Sequence, residues 1–251
     1  MTIHSKIPSI GLGTYMMSPE EAEEMTYEAI KIGYRHIDTA EVYRNEQGVA
    51  KGIERSLSEG LVSRSELFIT TKVFPGNEIW GQSQKTFDDV TESLDNSLKR
   101  LKLEYVDLYL IHSAHANKTR IEQWKALLEL KSMGKITYAG VANWNIKHLQ
   151  EINDADLPLP DTNQIELHPW AQQPELVEYL QNNNVHIIAY SSLVPLSTWR
   201  KKDGENSLKT KDMENEGSSV ESLFKILANK YNVKESQILL QWALQLKYAI
   251  L

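Results

Sequence analysis

Along the chain, short runs of β-branched and aliphatic residues alternate with longer stretches in which apolar side chains recur every three or four positions. The first pattern suits strands buried on both faces and the second suits amphipathic helices, so their alternation predicts βα units around a parallel sheet. Strands are predicted at Ile10–Thr14, Arg35–Asp38, Phe68–Lys72, Val106–Ile111, Tyr138–Ala142, Thr162–Glu166, His186–Tyr190 and Ala249–Leu251. A helix is predicted over Pro19–Ile32, where Ser18 can cap, Pro19 suits the first helical position and "SPEEAEE" puts acids at the positive end of the dipole. Another is predicted in "FDDVTESLDNSLKRLK", with Val90, Leu94, Leu98 and Leu101 on one stripe and acids preceding bases. Eight strands with helices between them in 251 residues predict one (β/α)8 TIM-barrel domain. A doubly wound sheet would carry a glycine fingerprint after its first strand, and "GLGTYM" is a two-glycine turn, not GxGxxG.

Two stretches interrupt this regularity. Residues 199–219, "WRKKDGENSLKTKDMENEGSS", are polar and predict a long loop after the seventh strand, either a lid or a surface insertion. The sequence stops at Leu251, inside or just after the predicted eighth strand, so the barrel is expected without a C-terminal segment beyond it.

Composition narrows the function classes. With 41% hydrophobic and 24% charged residues the chain has the makeup of a globular protein, and no apolar run approaches the roughly 18 residues that span a bilayer. The start "MTIHSKIPSIGLGTY" has no apolar signal core, and there is no cysteine, so a cytosolic protein is expected. A net charge of -7 argues against a phosphate-backbone binder, so no nucleic-acid partner is expected.

In a (β/α)8 barrel the chemistry collects at the C-terminal ends of the strands. Asp38 ends the second predicted strand and Tyr43 lies in the following loop; Lys72 ends the third and His112 follows the fourth. A lysine buried at a strand end needs a counter-charge, which Asp38 can supply. A lysine cation beside a phenol favours the phenolate, so Tyr43 is expected to have a lowered pKa and to serve as a proton donor. A proton donor with no evident nucleophile or metal suits reduction of a carbonyl, the hydride coming from a cofactor. His112 and His115 are accompanied by no third ligand, so no metal is expected. Asn45 is expected to cap the helix that begins at Glu46. Trp80, in "FPGNEIWGQ", is a candidate wall of the substrate pocket.

These segments carry a family resemblance. "GYRHIDTAEVYRNEQGVAKGI" and "LLELKSMGKITYAGVANW" resemble the two signatures of the aldo-keto reductases, and "LFITTKV" and "VDLYLIH" resemble the family's lysine and histidine strands. The resemblance implies a (β/α)8 barrel, NADPH as the usual cofactor with NADH also open, a small carbonyl substrate, and a catalytic tetrad at Asp38, Tyr43, Lys72 and His112. It further implies that Asn143 and Gln164 hold the nicotinamide carboxamide, that Tyr190 stacks on the ring, that Thr14 and Tyr15 line the mouth, and that Ser191 and Leu193 follow the pyrophosphate. Three positions depart from the family pattern. Ser113 stands where an aromatic residue is common after the histidine, Ala142 replaces a serine, and the lysine and serine motif for the 2′-phosphate is expected beyond Leu251. A non-catalytic cofactor-binding protein on the same barrel is the rival reading.

Overall fold

The computed structural model describes residues 6–196, 201–202, 205–206 and 223–251. Seven strands, β1 (Gly11–Gly13), β2 (His36–Asp38), β3 (Phe68–Val73), β4 (Val106–Ile111), β5 (Ile136–Ala142), β6 (Thr162–Glu166) and β7 (His186–Tyr190), pair in parallel in chain order. A small antiparallel hairpin, β8 (Lys201–Lys202) with β9 (Glu205–Asn206), falls inside the predicted polar loop, whose residues 199–200, 203–204 and 207–219 lie outside the described set. β10 (Ala249–Ile250) then pairs with β7 and completes an eight-stranded sheet. A parallel bridge between Ile10 and Ile250, with the Ile250 N–H donating to the Ser9 carbonyl at 3.0 Å, brings the two edges together. The architecture is a (β/α)8 barrel. Strand boundaries differ from expectation mainly at the ends: β1 keeps three residues of the predicted Ile10–Thr14 run, and β5 begins two residues early, at Ile136.

The helices α1 (Pro19–Lys31), α2 (Glu46–Ser58), α3 (Phe87–Leu101), α4 (Arg120–Ser132), α5 (Ile146–Asp154), α6 (Pro174–Asn182), α7 (223–231) and α8 (Glu235–Gln245) fill the crossovers. α1 starts where the sequence signals it, with Ser18 Oγ accepting from the Glu21 N–H and Glu21 reaching back to the Ser18 N–H. α3 buries the predicted stripe of Val90, Leu94, Leu98 and Leu101, each contributing roughly 1.5–3 kcal/mol against exposure. α1 and α2 meet at Gly48, where a Cβ would lie 1.9 Å from the Pro19 carbonyl oxygen, so only glycine permits this approach.

Strand alternation divides the core in two. Odd-numbered residues of β2 to β7, among them Ile37, Ile69, Tyr109, Val141, Ile165 and Ile187, pack with the helices in one large cluster. Even-numbered Phe68, Leu108, Leu110, Ala142 and Ile188 form a smaller cluster with Ala249 inside the ring. Asp38, Lys72, Gln164 and Tyr190 share that even parity, which aims them into the barrel.

Candidate active site

Register brings the strand ends level: Asp38 pairs with Thr70, two residues before Lys72 on β3, and Lys72 pairs with Leu110, two residues before His112. Lys72 Nζ is fully buried and ion-pairs with Asp38 Oδ1, donates to the Thr39 carbonyl at 3.0 Å and reaches the Tyr43 hydroxyl at 3.3 Å. The other Asp38 oxygen accepts from Gln164 Nε2 at 2.8 Å. On its far side the Tyr43 hydroxyl stands 3.4 Å from His112 Nε2. The four strand-end groups expected to converge do so, with Tyr43 between a cation and an imidazole.

Burial dominates the protonation balance. It raises the Asp38 carboxyl from its ordinary value, against the pull of Lys72 and Gln164. It works against the Lys72 cation too, but there the charge of Asp38, with Tyr43 and the hydrogen bonds, more than offsets it, and Lys72 titrates above an ordinary lysine. With Lys72 and Gln164 both donating to Asp38, the pair stands as an ion pair. His112 is pushed down to about 3 by burial and then by Lys72, so it is neutral at pH 7. Tyr43 corrects the sequence reading. Its phenol lies above the ordinary tyrosine value, because desolvation outweighs the downward pull of Lys72. The lysine moderates the cost of a phenolate without inverting it.

Above these groups opens a cavity of about 600 Å³ lined by Asp38, Tyr43, His112, Tyr15, Asn143, Gln164, Tyr190 and Ser191, together with Gly13, Met16, Val42 and Leu251. Asn143, just past β5, has φ 62, a left-handed conformation; its Nδ2 donates to the His112 carbonyl at 3.1 Å and its Oδ1 accepts from the Tyr190 hydroxyl at 2.7 Å. Two side-chain amides beside a flat aromatic face form a donor set that suits a nicotinamide ring and its carboxamide.

The remaining expected residues fall elsewhere. Thr14 is fully buried beneath the mouth, its hydroxyl donating to the Asp38 carbonyl at 2.9 Å, and it does not line the cavity. Leu193 is 42% exposed and outside the lining. Trp80 is 64% exposed and stacks on Phe74 at 6.0 Å, with His115 against its edge. Ser113 is half-buried and hydrogen-bonds His115 Nδ1 at 2.9 Å. Neither lines the cavity. Conversely, Gly13, Met16, Val42 and Leu251 line the cavity without carrying a chemical signal in the sequence, though Met16 follows the "GLGTY" turn and Val42 precedes Tyr43. Asn45 occupies the N-cap position of α2, but its side chain makes no capping bond. It turns inward to Thr14, Met17 and Thr39.

The sequence profile of the Aldo/keto reductase family matches residues 9–250. A methylglyoxal reductase of Yersinia pestis is 37% identical over 239 residues, covering 95% of this chain and 75% of that protein. An NAD(P)H-dependent D-xylose reductase of Candida tenuis is 34% identical over 270 residues, covering 98% of this chain and 80% of its own. Among solved structures, an aldo-keto reductase of Bombyx mori in complex with NADP superposes with a TM-score of 0.80 at 31% identity, covering 98% of this chain and 79% of that one. With a barrel of eight parallel strands, four strand-end groups in contact and a family match over nearly its whole length, this chain belongs to the aldo/keto reductase family of oxidoreductases.

Proposed function

We propose that this chain reduces aldehydes or small ketones to alcohols with NADPH, and that Tyr43 is the proton donor. The observation that carries the reading is the placement of the Tyr43 hydroxyl at the cavity wall, 3.3 Å from Lys72 Nζ and 3.4 Å from His112 Nε2. The nicotinamide, when bound, supplies the hydride that no side chain can. Asn143 and Gln164 would hold its carboxamide and Tyr190 would back its ring, a stacking contact worth roughly 1 kcal/mol. As the carbonyl oxygen gains negative charge, Tyr43 gives up its proton, and the adjacent Lys72 cation favours the phenolate left behind. Asp38, held by Gln164 as well as Lys72, keeps the lysine charged and fixed. Neutral His112 orients the carbonyl oxygen by a hydrogen bond and does not compete for the proton.

Small uncharged carbonyls such as methylglyoxal, and pentoses such as xylose, are the first substrates to try, since relatives with well over half their length in common are named for them. NADPH rather than NADH is supported by the NADP bound in a structural relative. The test is methylglyoxal-dependent oxidation of NADPH, with NADH in parallel and Tyr43→Phe as the variant. Loss of about 100-fold or more in turnover, with cofactor quenching of tryptophan fluorescence retained, is expected. Cofactor binding by the parent chain without turnover of any aldehyde would instead indicate a binding protein.

A further inference from the structure

Asn45 lies two residues after Tyr43 and is fully buried. Its Nδ2 donates to the carbonyls of Thr14 at 2.8 Å and Met17 at 3.1 Å, and its Oδ1 accepts from the Thr39 hydroxyl at 2.8 Å. Both amide protons and the amide oxygen are thereby engaged, although one bond to an α2 N–H would have sufficed for a cap.

Those three partners belong to the segments that shape the mouth. Thr14 and Met17 bracket the turn that carries Tyr15 and Met16, and the Met17 N–H closes it on the Thr14 carbonyl at 3.2 Å. Met16 sits at φ 65, a conformation that methionine holds only where its surroundings impose it. Tyr15 packs on Tyr43, ring centroids 5.1 Å apart. Thr39 offers its carbonyl to Lys72 Nζ, and the Thr14 N–H and hydroxyl both donate to the Asp38 carbonyl, at 3.0 and 2.9 Å. One amide thus joins the β1–α1 turn, the end of β2 and the segment that bears Tyr43. Buried polar groups with every bond satisfied specify one arrangement, because each alternative leaves one of them unpaired.

We propose that Asn45 is a positioning residue for the proton donor: by tying the Tyr15–Met16 turn to Thr39, it sets the Tyr43 phenol against Lys72 and His112. The proposal rests on the reductase reading of this site. Asn45 makes no contact with the reacting groups and acts through the two turns, so its loss lowers the rate of the bound complex rather than the affinity for either ligand.

The test uses the whole chain with NADPH and methylglyoxal. In Asn45→Ala, kcat falls about tenfold or more while the methylglyoxal KM and the NADPH dissociation constant stay within about twofold. Hydrogen exchange at the Met17 and Tyr43 amides quickens by about tenfold, with the amides of β3 to β6 unchanged. Thr39→Val removes a single bond of the clamp and preserves shape, so it reads the same effects at about threefold should Asn45→Ala fail to fold. The proposal is overturned if kcat is unchanged in a folded variant that merely melts earlier, or if exchange in the two turns does not change. Should the parent chain reduce no carbonyl, the reductase reading fails by itself. Exchange then decides the clamp alone: quickening confined to the two turns supports it, and unchanged exchange removes it.

Discussion

Replacing Lys72 by methionine removes the cation that pairs with Asp38 inside the barrel. The Lys72 side chain is 0% exposed and that of Asp38 is 4% exposed, so solvent cannot stand in for the missing partner. Three acceptors lose their donor: Asp38 Oδ1, the Thr39 carbonyl and the Tyr43 hydroxyl. Breaking a buried ion pair from one side costs about 3–5 kcal/mol, and the Gln164 bond to the other carboxylate oxygen survives. The cost is bounded because Asp38, whose pKa burial already raises and which in the variant no longer has the Lys72 charge to hold it down, can take up a proton. A group whose folded pKa is raised contributes stability below its unfolded value and loses it as pH rises toward the folded one, so the deficit of Lys72→Met grows as pH rises above the ordinary aspartate value of about 4 and is larger at about pH 8 than at about pH 5. Urea unfolding of parent and variant at both pH values measures it from the midpoints. Adding Asp38→Asn removes the stranded charge and should return about half of the lost stability while restoring no turnover. A deficit below about 1 kcal/mol at pH 8, or a double variant as unstable as the single one, would refute the buried-pair reasoning.

Two further outcomes follow from the same structure. With His112 pushed down to about 3 and Tyr43 above the ordinary tyrosine value, kcat/KM should be level between about pH 5 and 8 and fall only as pH rises through the Tyr43 value, where the proton donor is lost; an inflection near the ordinary histidine pKa that disappears in His112→Asn would contradict this. Gly48→Ala drives a methyl group to 1.9 Å from the Pro19 carbonyl oxygen and should destabilise the chain by about 3 kcal/mol or more, read from thermal unfolding, with the surviving folded fraction showing parental KM.

How much of this was legible beforehand depends on how local each signal is. Strand parity is local: Asp38, Lys72, Gln164 and Tyr190 sit on the same face as Phe68, Leu110 and Ile188 because side chains alternate, whatever the rest of the chain does. Caps and stripes are equally local, and Ser18 and the Val90–Leu101 face behave as their neighbours dictate. With eight alternating units, these signals suffice for the barrel and for four chemical groups at adjacent strand ends. The tertiary structure alone decides what depends on distant partners or on collective burial. Asn45 reads as a cap from its neighbours, yet bonds Thr14 at a separation of 31 residues, because an amide beneath two loops satisfies more buried carbonyls there than at a helix end. Trp80 reads as a pocket wall, yet Phe74 offers its ring a stacking surface outside the cavity. The Tyr43 pKa reads as lowered when one lysine is considered, and rises once desolvation is counted, because water excluded by the whole barrel acts more strongly on the phenolate than one neighbouring charge.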